Sequence, residues 1–194
     1  MIEVSEQQID RVYRLLHGFY KGRGATVALR NAINRGMITA KSESAKEISK
    51  VYHIKQKDFK EHTKIKTFKA NQSVIEAGFI YAGNVIPLIK FQVSPSKPVG
   101  GRRRHYTKVS VMKGNGKKEL IHAYIANLGK YDTGIFERLT SKRETSQQLY
   151  GPSAAHMMGN INVYDHISEK AQETFDERLE HEIERILSGY RGGW

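Results

Sequence analysis

A dense group of cations is the part of this sequence best suited to binding chemistry. Guanidinium and ammonium groups neutralise phosphates without reading bases, so such a group predicts contact with nucleic acid or another polyanion. The alternative is a solvated surface loop, because runs of charge on loops commonly serve only solubility. Eight basic side chains lie within 17 residues that contain no acid: Arg102, Arg103, Arg104, His105, Lys108, Lys113, Lys117 and Lys118. We predict that the three arginines and four lysines of this group contact DNA or a partner protein.

The residues around this cluster predict the element that carries it. Two runs show the alternation of strands with one buried face: Val109 and Val111 alternate with Lys108, Ser110 and Met112, and Leu120, His122 and Tyr124 alternate with Ile121, Ala123 and Ile125. Asn115-Gly116 lies between the two runs and suits a two-residue type I′ turn, in which both residues have positive φ. The cluster is therefore expected on a basic loop that leads into a β-hairpin, within the stretch from Lys97 to Ile125.

Metal and nucleophile chemistry have weaker support. The sequence contains no cysteine, which removes disulfides, thiol nucleophiles and cysteine-bound metals. Its eight histidines are scattered. Glu177 and His181 lie four residues apart on a predicted helix and could hold a metal, but a solvated helix pair explains the spacing better. Ser153 follows Gly-Pro and indicates the start of a helix rather than an activated nucleophile.

A nuclease would need acids beside the basic cluster. The candidates considered near it in sequence are Asp132, Glu137 and Glu144, and no glycine motif that cradles phosphates is present. We therefore predict no catalytic residue, no metal and no cofactor. The alternative is an enzyme that uses the scattered histidines, and an activity that is lost on addition of a chelator would reveal it.

The net charge of +12 is unevenly distributed along the 194 residues. Residues 1–75 and 76–160 each carry +8, whereas residues 161–194 carry −4, from four basic and eight acidic side chains. A basic body suits contact with a polyanion, and an acidic C-terminal segment can pair with a basic neighbour, including a second copy of the chain. No apolar run approaches the ~20 residues needed to cross a bilayer, and the N-terminus does not resemble a secretory signal. We expect a soluble intracellular protein without membrane contact.

The periodicity of apolar residues predicts an α+β fold. We expect an N-terminal helical region over residues 1–62, a β-sheet region with the basic loop and hairpin over 63–150, and a C-terminal helical region over 151–194. The central sheet is expected to be mostly antiparallel and to have four to five strands. A long C-terminal amphipathic helix is expected to pack on it, and the three regions to form one folding unit.

Local signals predict several boundaries. Ser5-Glu6-Gln7-Gln8 has the form of a capping box and starts a helix that is expected to reach Phe19. A second helix is expected to be bent or interrupted at Ser42 and Ser44. The polar residues 140–150 show no periodicity and are expected to form an exposed loop.

The last helix carries an apolar stripe at every third or fourth position, with glutamates on its other faces. Gly189 is expected to end it. The stripe consists of Val163, Ile167, Ala171, Phe175, Leu179, Ile183 and Ile186. We predict that Phe175, Leu179 and Ile183 form subunit contacts. Trp194 is expected either to fray with the chain end or to anchor in a neighbouring subunit, and we assign it to the same contact.

A series of short motifs extends over roughly residues 27–188. In sequence order they are Ala32-Ile33-Asn34-Arg35, Ala45-Lys46-Glu47-Ile48, Tyr52-His53-Ile54-Lys55, Lys57-Asp58, Ile86-Pro87-Leu88 with Phe91, Val109 to Val111, Ala123-Tyr124-Ile125, Gly134-Ile135-Phe136 with Arg138, Gly151-Pro152-Ser153 with Met157-Met158, and the acidic last helix. Each motif is chemically ordinary, and the weight lies in their order. In that order the chain resembles the minor tail protein Z family of long-tailed bacteriophages and their prophages.

The resemblance implies a non-enzymatic virion component that acts in tail completion near the head-proximal end of the tail. The implied partners are other tail proteins, namely the tail tube, the tail terminator or a neck ring. A homo-oligomer, with a ring as one form, and a location in the virion tail after assembly in the host cytoplasm are expected. The basic loop and hairpin would then face DNA in the tail lumen or an acidic ring of a neighbouring protein. The alternative is a free basic nucleic-acid-binding protein without base specificity.

Overall fold

The computed structural model describes residue 2 and residues 4–100, 106–127, 133–140 and 145–189 of the chain. These residues form an α+β fold, as the sequence predicts. The helices are α1 (Glu6–Leu16), α2 (Gly24–Val51), α3 (Gln56–Glu61), α4 (Ala154–Met158) and α5 (Ile161–Leu187). Short 3-10 helices cover Tyr20–Gly22 and Leu88–Lys90. No helix in this part of the chain is both long and apolar enough to cross a membrane.

The strands are short and form several small sheets instead of one central sheet. In chain order they are β1 (Lys64–Phe68), β2 (Gly78–Ala82), β3 (Val85–Pro87), β4 (Gln92–Ser94), β5 (Thr107–Ser110), β6 (Lys118–Leu120), β7 (Ala123–Ala126), β8 (Gly134–Arg138), β9 (Ser146–Gln148) and β10 (Tyr150–Ser153). Among the described residues β1 pairs with β2, β3 with β10, β4 with β5 and β6, and β7 with β8 and β9. The pairings β3–β10, β4–β5, β5–β6, β7–β8 and β8–β9 are antiparallel.

The chain divides into two compact units that interleave along the sequence. Unit 1 consists of Met1–Ser44, Ile65–Ile80 and Tyr164–Trp194. Unit 2 consists of Ala45–Lys64 and Tyr81–Val163. Both α2 and α5 therefore contribute residues to each unit, and we describe the two units separately.

Unit 1 is built on three helices. The Ser5 hydroxyl accepts a hydrogen bond from the Gln8 backbone nitrogen at 3.2 Å, and the Ser5 nitrogen donates to Gln8 Oε1 at 3.0 Å, so the predicted capping box is confirmed. The helices share one apolar core, formed by Val12, Leu16, Ala25, Val27, Ala28, Leu29, Ala32, Phe175, Leu179, Ile183 and Ile186. A Cβ added to Gly36 of α2 would lie 2.9 Å from the carbonyl oxygen of Ala171 in α5. The glycine therefore permits a close approach of the two backbones.

A buried carboxylate links α2 to α5 in unit 1. Glu182 is 1% exposed, and Asn31 Nδ2 donates to its Oε2 at 3.0 Å. Arg185 Nη2 lies 2.7 Å from Oε2 and Arg178 Nη2 lies 2.6 Å from Oε1. Burial opposes ionisation, but hydrogen bonds from Asn31 and Arg185 and the charges of Arg185 and Arg178 outweigh it, so the pKa of Glu182 is lowered.

Unit 2 has smaller apolar clusters. Phe59 of α3 is buried, and its ring centroid lies 5.9 Å from that of Tyr81. Val109, Ala123 and Ile135 form the centre of a second cluster beneath the sheets. Helix α4 begins after Ser153, whose hydroxyl accepts a hydrogen bond from the His156 backbone nitrogen at 3.2 Å. The predicted role of this serine at a helix start is confirmed.

Two predictions for the helices are wrong. Helix α1 ends at Leu16 instead of Phe19, because residues 17–19 form a turn that leads to the 3-10 helix at Tyr20–Gly22. Helix α2 continues through Ser42 and Ser44, so the predicted interruption is wrong; their hydroxyls donate to the carbonyl oxygens of Thr39 and Lys41 in the preceding turn. Such bonds satisfy a serine inside a helix without ending it.

The predicted loop over residues 140–150 contains a strand. Strand β9 pairs with β8 and places Gln148 opposite Phe136. Its polar side chains carry no apolar alternation, so only the backbone pairing, which the sequence pattern does not show, makes it a strand. Residues 141–144 lie outside the described residues.

Candidate functional site

The basic hairpin is present. Strands β5 and β6 pair with Thr107 opposite Leu120 and Val109 opposite Lys118. The predicted type I′ turn is wrong, because neither Asn115 nor Gly116 has a positive φ. Seven residues separate the two strands, and Gly114 supplies the positive φ, at +87°. The hairpin therefore ends in a wide loop, residues 111–117, which we call the hairpin tip.

Contacts to the end of α2 explain this wide tip. The His53 nitrogen donates to the Val111 carbonyl oxygen at 2.9 Å, and the Lys113 nitrogen donates to the Val51 carbonyl oxygen at 2.8 Å. The chain therefore leaves the β5–β6 ladder to pair with α2 before it turns back. The Ser110 hydroxyl lies 2.9 Å from the Asn115 carbonyl oxygen and closes the turn.

The second predicted strand of the hairpin is divided in two. Strand β6 ends at Leu120, and after a turn at residues 121–122 strand β7 pairs with β8. Tyr124 of β7 lies opposite Phe136 of β8. The alternation over residues 120–125 therefore continues across a change of sheet, which the pattern alone cannot distinguish from one strand.

The side chain of Lys113 makes a hydrogen bond within the fold. Its Nζ donates to the carbonyl oxygen of Ser49 at 2.7 Å. Ser49 lies in the last turn of α2, where carbonyl groups lack partners within the helix and the helix dipole favours a cation. Lys113 is therefore a side-chain cap of α2 as well as a member of the basic cluster.

The other described lysines of the cluster differ in their surroundings. Lys108 Nζ lies 3.1 Å from a carboxylate oxygen of Glu119 on the opposite strand, so part of its charge is neutralised locally. Lys117 and Lys118 are exposed, and no acid of the described residues lies within salt-bridge distance of either. They are the two cations of the described hairpin that remain available to a ligand.

Of the remaining predicted site residues, four lie outside the described residues and three are buried in the core of unit 1. Arg102, Arg103, Arg104 and Trp194 lie outside the described residues. Phe175, Leu179 and Ile183 are 0%, 3% and 3% exposed and pack against α1 and α2 in the core of unit 1. This packing inside one chain accounts for the apolar stripe of α5, so we assign these three side chains to the core instead of to a subunit contact.

The two units differ in net charge more than the contiguous segments of the sequence do. Unit 2 contains 19 basic and seven acidic side chains, a net charge of +12. Unit 1 contains 13 of each and is neutral. All of the net charge of the chain therefore belongs to the unit that holds the hairpin.

An acidic surface lies on α5 of unit 1. Its exposed carboxylates follow one another at intervals of three or four residues and belong to Asp165, Glu169, Glu173, Glu177, Glu180 and Glu184. Glu180 pairs with Arg11 at 2.5 Å and Glu173 with Lys170 at 2.6 Å, and Glu169 lies 3.7 Å from the His166 ring. Among the described residues no group of three or more His, Asp or Glu side chains is arranged to hold a metal ion.

Sequence reasoning did not single out a groove beside the hairpin in unit 2. It encloses about 520 Å³ and is lined in part by Thr107, His122, Tyr124 and Arg138. The Arg138 guanidinium carbon lies 5.7 Å from the Tyr124 ring centroid, and the Tyr124 hydroxyl lies 2.6 Å from Ser146 Oγ. These groups meet through the β7–β8–β9 register, for which the sequence carries no local signal.

The hairpin therefore belongs to the unit of the α+β fold that carries the net positive charge. The family model described as prophage minor tail protein Z (GPZ) matches residues 20–190. The match covers most of the chain, and the chain belongs to this family of structural phage tail proteins. No curated protein and no solved structure gives a match. The resemblance drawn from the order of the motifs is confirmed.

Proposed function

We propose that this tail protein acts in tail completion near the head-proximal end of the tail and contacts a polyanion through unit 2. The observation that carries the proposal is the segregation of charge, +12 on unit 2 and zero on unit 1, in a member of a tail protein family. A surface of one sign attracts an opposite partner and raises its rate of association. The polyanion is the DNA end or an acidic surface of a neighbouring tail protein.

The proposal includes assembly with other tail proteins, namely the tail tube, the tail terminator or a neck ring. It also includes contacts between copies of the chain. The acidic surface of α5 and the basic surface of unit 2 have opposite signs, so one copy can offer α5 to unit 2 of the next. Such a head-to-tail contact closes into a ring when the rotation between copies allows it. The protein assembles in the host cytoplasm, resides in the virion tail and acts without catalysis.

Deletion of the coding sequence from its phage or prophage tests this function. We expect lysates that contain filled heads and tails of normal length but few infectious particles, because tail completion is the missing step. Expression of the intact chain in trans should restore the titre. Normal yields of joined, infectious particles after deletion would contradict the proposal.

The alternative function is a free basic nucleic-acid-binding protein without base specificity. The net charge of +12 and the isoelectric point of about 9.8 favour it. Quantitative mass spectrometry of purified particles, washed at high salt, separates the two. A tail component remains at a fixed ratio to the tube protein, whereas a free binder is lost, since salt weakens phosphate contacts.

A further inference from the structure

We infer that the hairpin contacts the phosphate backbone of duplex DNA through Lys117 and Lys118, and that Lys113 positions these two lysines. The inference rests on the proposed function, since it names the polyanion that unit 2 meets. It also divides the four described lysines of the cluster by task, which the sequence alone does not do.

The composition of the tip favours a nucleic acid over a protein partner. Val111 and Met112, the first two residues of the tip, are half-buried, whereas the exposed residues 113–118 are Lys, Gly, Asn, Gly, Lys and Lys, with no apolar side chain among them. The cores of protein interfaces are enriched in aromatic residues and methionine and depleted of lysine. A patch of lysine, glycine and asparagine instead suits phosphate groups, which need only cations and backbone donors.

The same composition leaves this element without a platform for stacking on bases. Stacking on bases requires aromatic side chains, and the tip has none. Lysine meets a phosphate as a point charge, and contacts to phosphate carry no sequence information. The contact is therefore independent of DNA sequence.

Lys113 fixes the direction of the tip. Its backbone nitrogen is bound to Val51 and its side chain to Ser49, both at the end of α2. The tip cannot leave α2 without breaking both hydrogen bonds. A contact group that is held in place before binding loses less conformational freedom on binding. Lys113 is thus a positioning residue, and Lys117 and Lys118 make the contact.

Glu119 limits the strength of the contact. It follows Lys118 in sequence and pairs with Lys108 across the ladder. Its carboxylate neutralises one cation and repels phosphate. Replacing it by glutamine keeps its size and frees Lys108, so that a third lysine becomes available.

Salt-dependent binding of the purified full chain to random-sequence duplex DNA tests the inference. Each phosphate contact contributes about 0.9 to the slope of log affinity against log salt concentration. We expect the slope to fall by about 2 in Lys117→Ala/Lys118→Ala and to rise by up to about 1 in Glu119→Gln. We expect Lys113→Met to weaken binding several-fold and Lys113→Arg, which keeps a donor for Ser49, to restore it.

The matched control is Lys66→Ala/Lys69→Ala. It removes the same charge from two exposed lysines of unit 1 and should leave the slope unchanged. Thermal melting shows that each variant is folded. An equal loss of slope in the control, no duplex binding at low salt, or stronger competition by polyglutamate than by duplex DNA of equal charge overturns the inference. If the chain restores tail completion in trans but fails these binding tests, the inference about DNA is wrong and the proposed function still holds.

Discussion

The side chain of Lys113 reaches the carbonyl oxygen of Ser49 at 2.7 Å and so joins the basic hairpin to the end of α2. One cation of the cluster is therefore part of the fold. Removing its ammonium group leaves a carbonyl at the helix C-terminus without that donor.

We predict that Lys113→Met lowers the free energy of unfolding by about 0.5–1.5 kcal/mol, the usual net contribution of one hydrogen bond. Urea denaturation at neutral pH measures it. Lys117→Met is the matched control and should change stability by less than about 0.5 kcal/mol, because that side chain is exposed. Equal losses in the two variants would show that the bond to Ser49 adds nothing to stability.

Gly36 gives a second prediction, on the packing of α2 against α5. Alanine has the higher helix propensity by about 1 kcal/mol, so propensity alone predicts a more stable Gly36→Ala variant. The added Cβ would lie 2.9 Å from the Ala171 carbonyl oxygen and 2.6 Å from Ile2 Cδ1. Because the backbone must move, we expect a net loss of about 1–3 kcal/mol.

Thermal or urea unfolding checks this result. Gly18→Ala is the control, since a Cβ there would meet no atom within 4 Å. A Gly36→Ala variant that is more stable than the parent chain would mean that α2 and α5 are not in close contact at this residue.

The buried carboxylate of Glu182 should make the free energy of unfolding depend on pH. Its folded-state pKa lies below the ordinary value of 4.5, so its contribution to stability is present above the unfolded-state pKa and is lost as the pH falls through the folded-state pKa. We expect Glu182→Gln to cost about 1–3 kcal/mol at pH 7, because Arg178 and Arg185 lose their buried partner. The difference from the parent chain should shrink below about pH 4.

Urea unfolding of both chains across this pH range measures the effect. Glu184→Gln, two residues further along α5 and exposed, is the control and should leave the pH dependence unchanged. A constant difference between Glu182→Gln and the parent chain at all pH values would contradict an ionised Glu182 in the folded chain.

The two faces of α5 lead to opposite predictions for self-association. Phe175→Leu should cost about 1–2 kcal/mol of stability without changing the oligomeric state, since Phe175 is buried in unit 1. Glu177→Lys/Glu184→Lys should leave stability nearly unchanged and weaken association at low salt, because it reverses the exposed acidic surface. Sedimentation at low and high salt measures both. Loss of association in a folded Phe175→Leu variant would show that the apolar stripe of α5 forms a subunit contact after all.

Much of unit 1 could be predicted from the sequence, because its signals are local. The capping box at Ser5, the apolar stripe of α5 and the end of α5 shortly before Gly189 each depend on residues a few positions apart. The pattern could not show which surface the stripe covers. An apolar stripe packs equally well on its own chain or on a second copy, and only the positions of α1 and α2 decide between them.

The hairpin was predicted in part, and its errors have one physical cause. Asn115-Gly116 has a local preference for a type I′ turn, but backbone bonds between residues 111–113 and the end of α2 override it. Nonlocal pairing likewise makes a strand of the polar residues 146–148. The segregation of charge was missed because the units interleave, and counts over contiguous segments mix the two.

The central claim is that the basic surface of unit 2 contacts a polyanion during tail completion, and complementation tests it most directly. A phage that lacks the coding sequence is supplied in trans with Arg102→Ala/Arg103→Ala/Arg104→Ala, with Lys66→Ala/Lys69→Ala or with the intact chain. Titre and DNA retention are measured on the purified particles. We expect both to fall by at least about tenfold with the arginine variant, since several phosphate contacts are lost together, and to stay normal with the lysine variant of unit 1. Unchanged titre and DNA retention with the arginine variant would contradict the claim and make the basic loop a solvated surface.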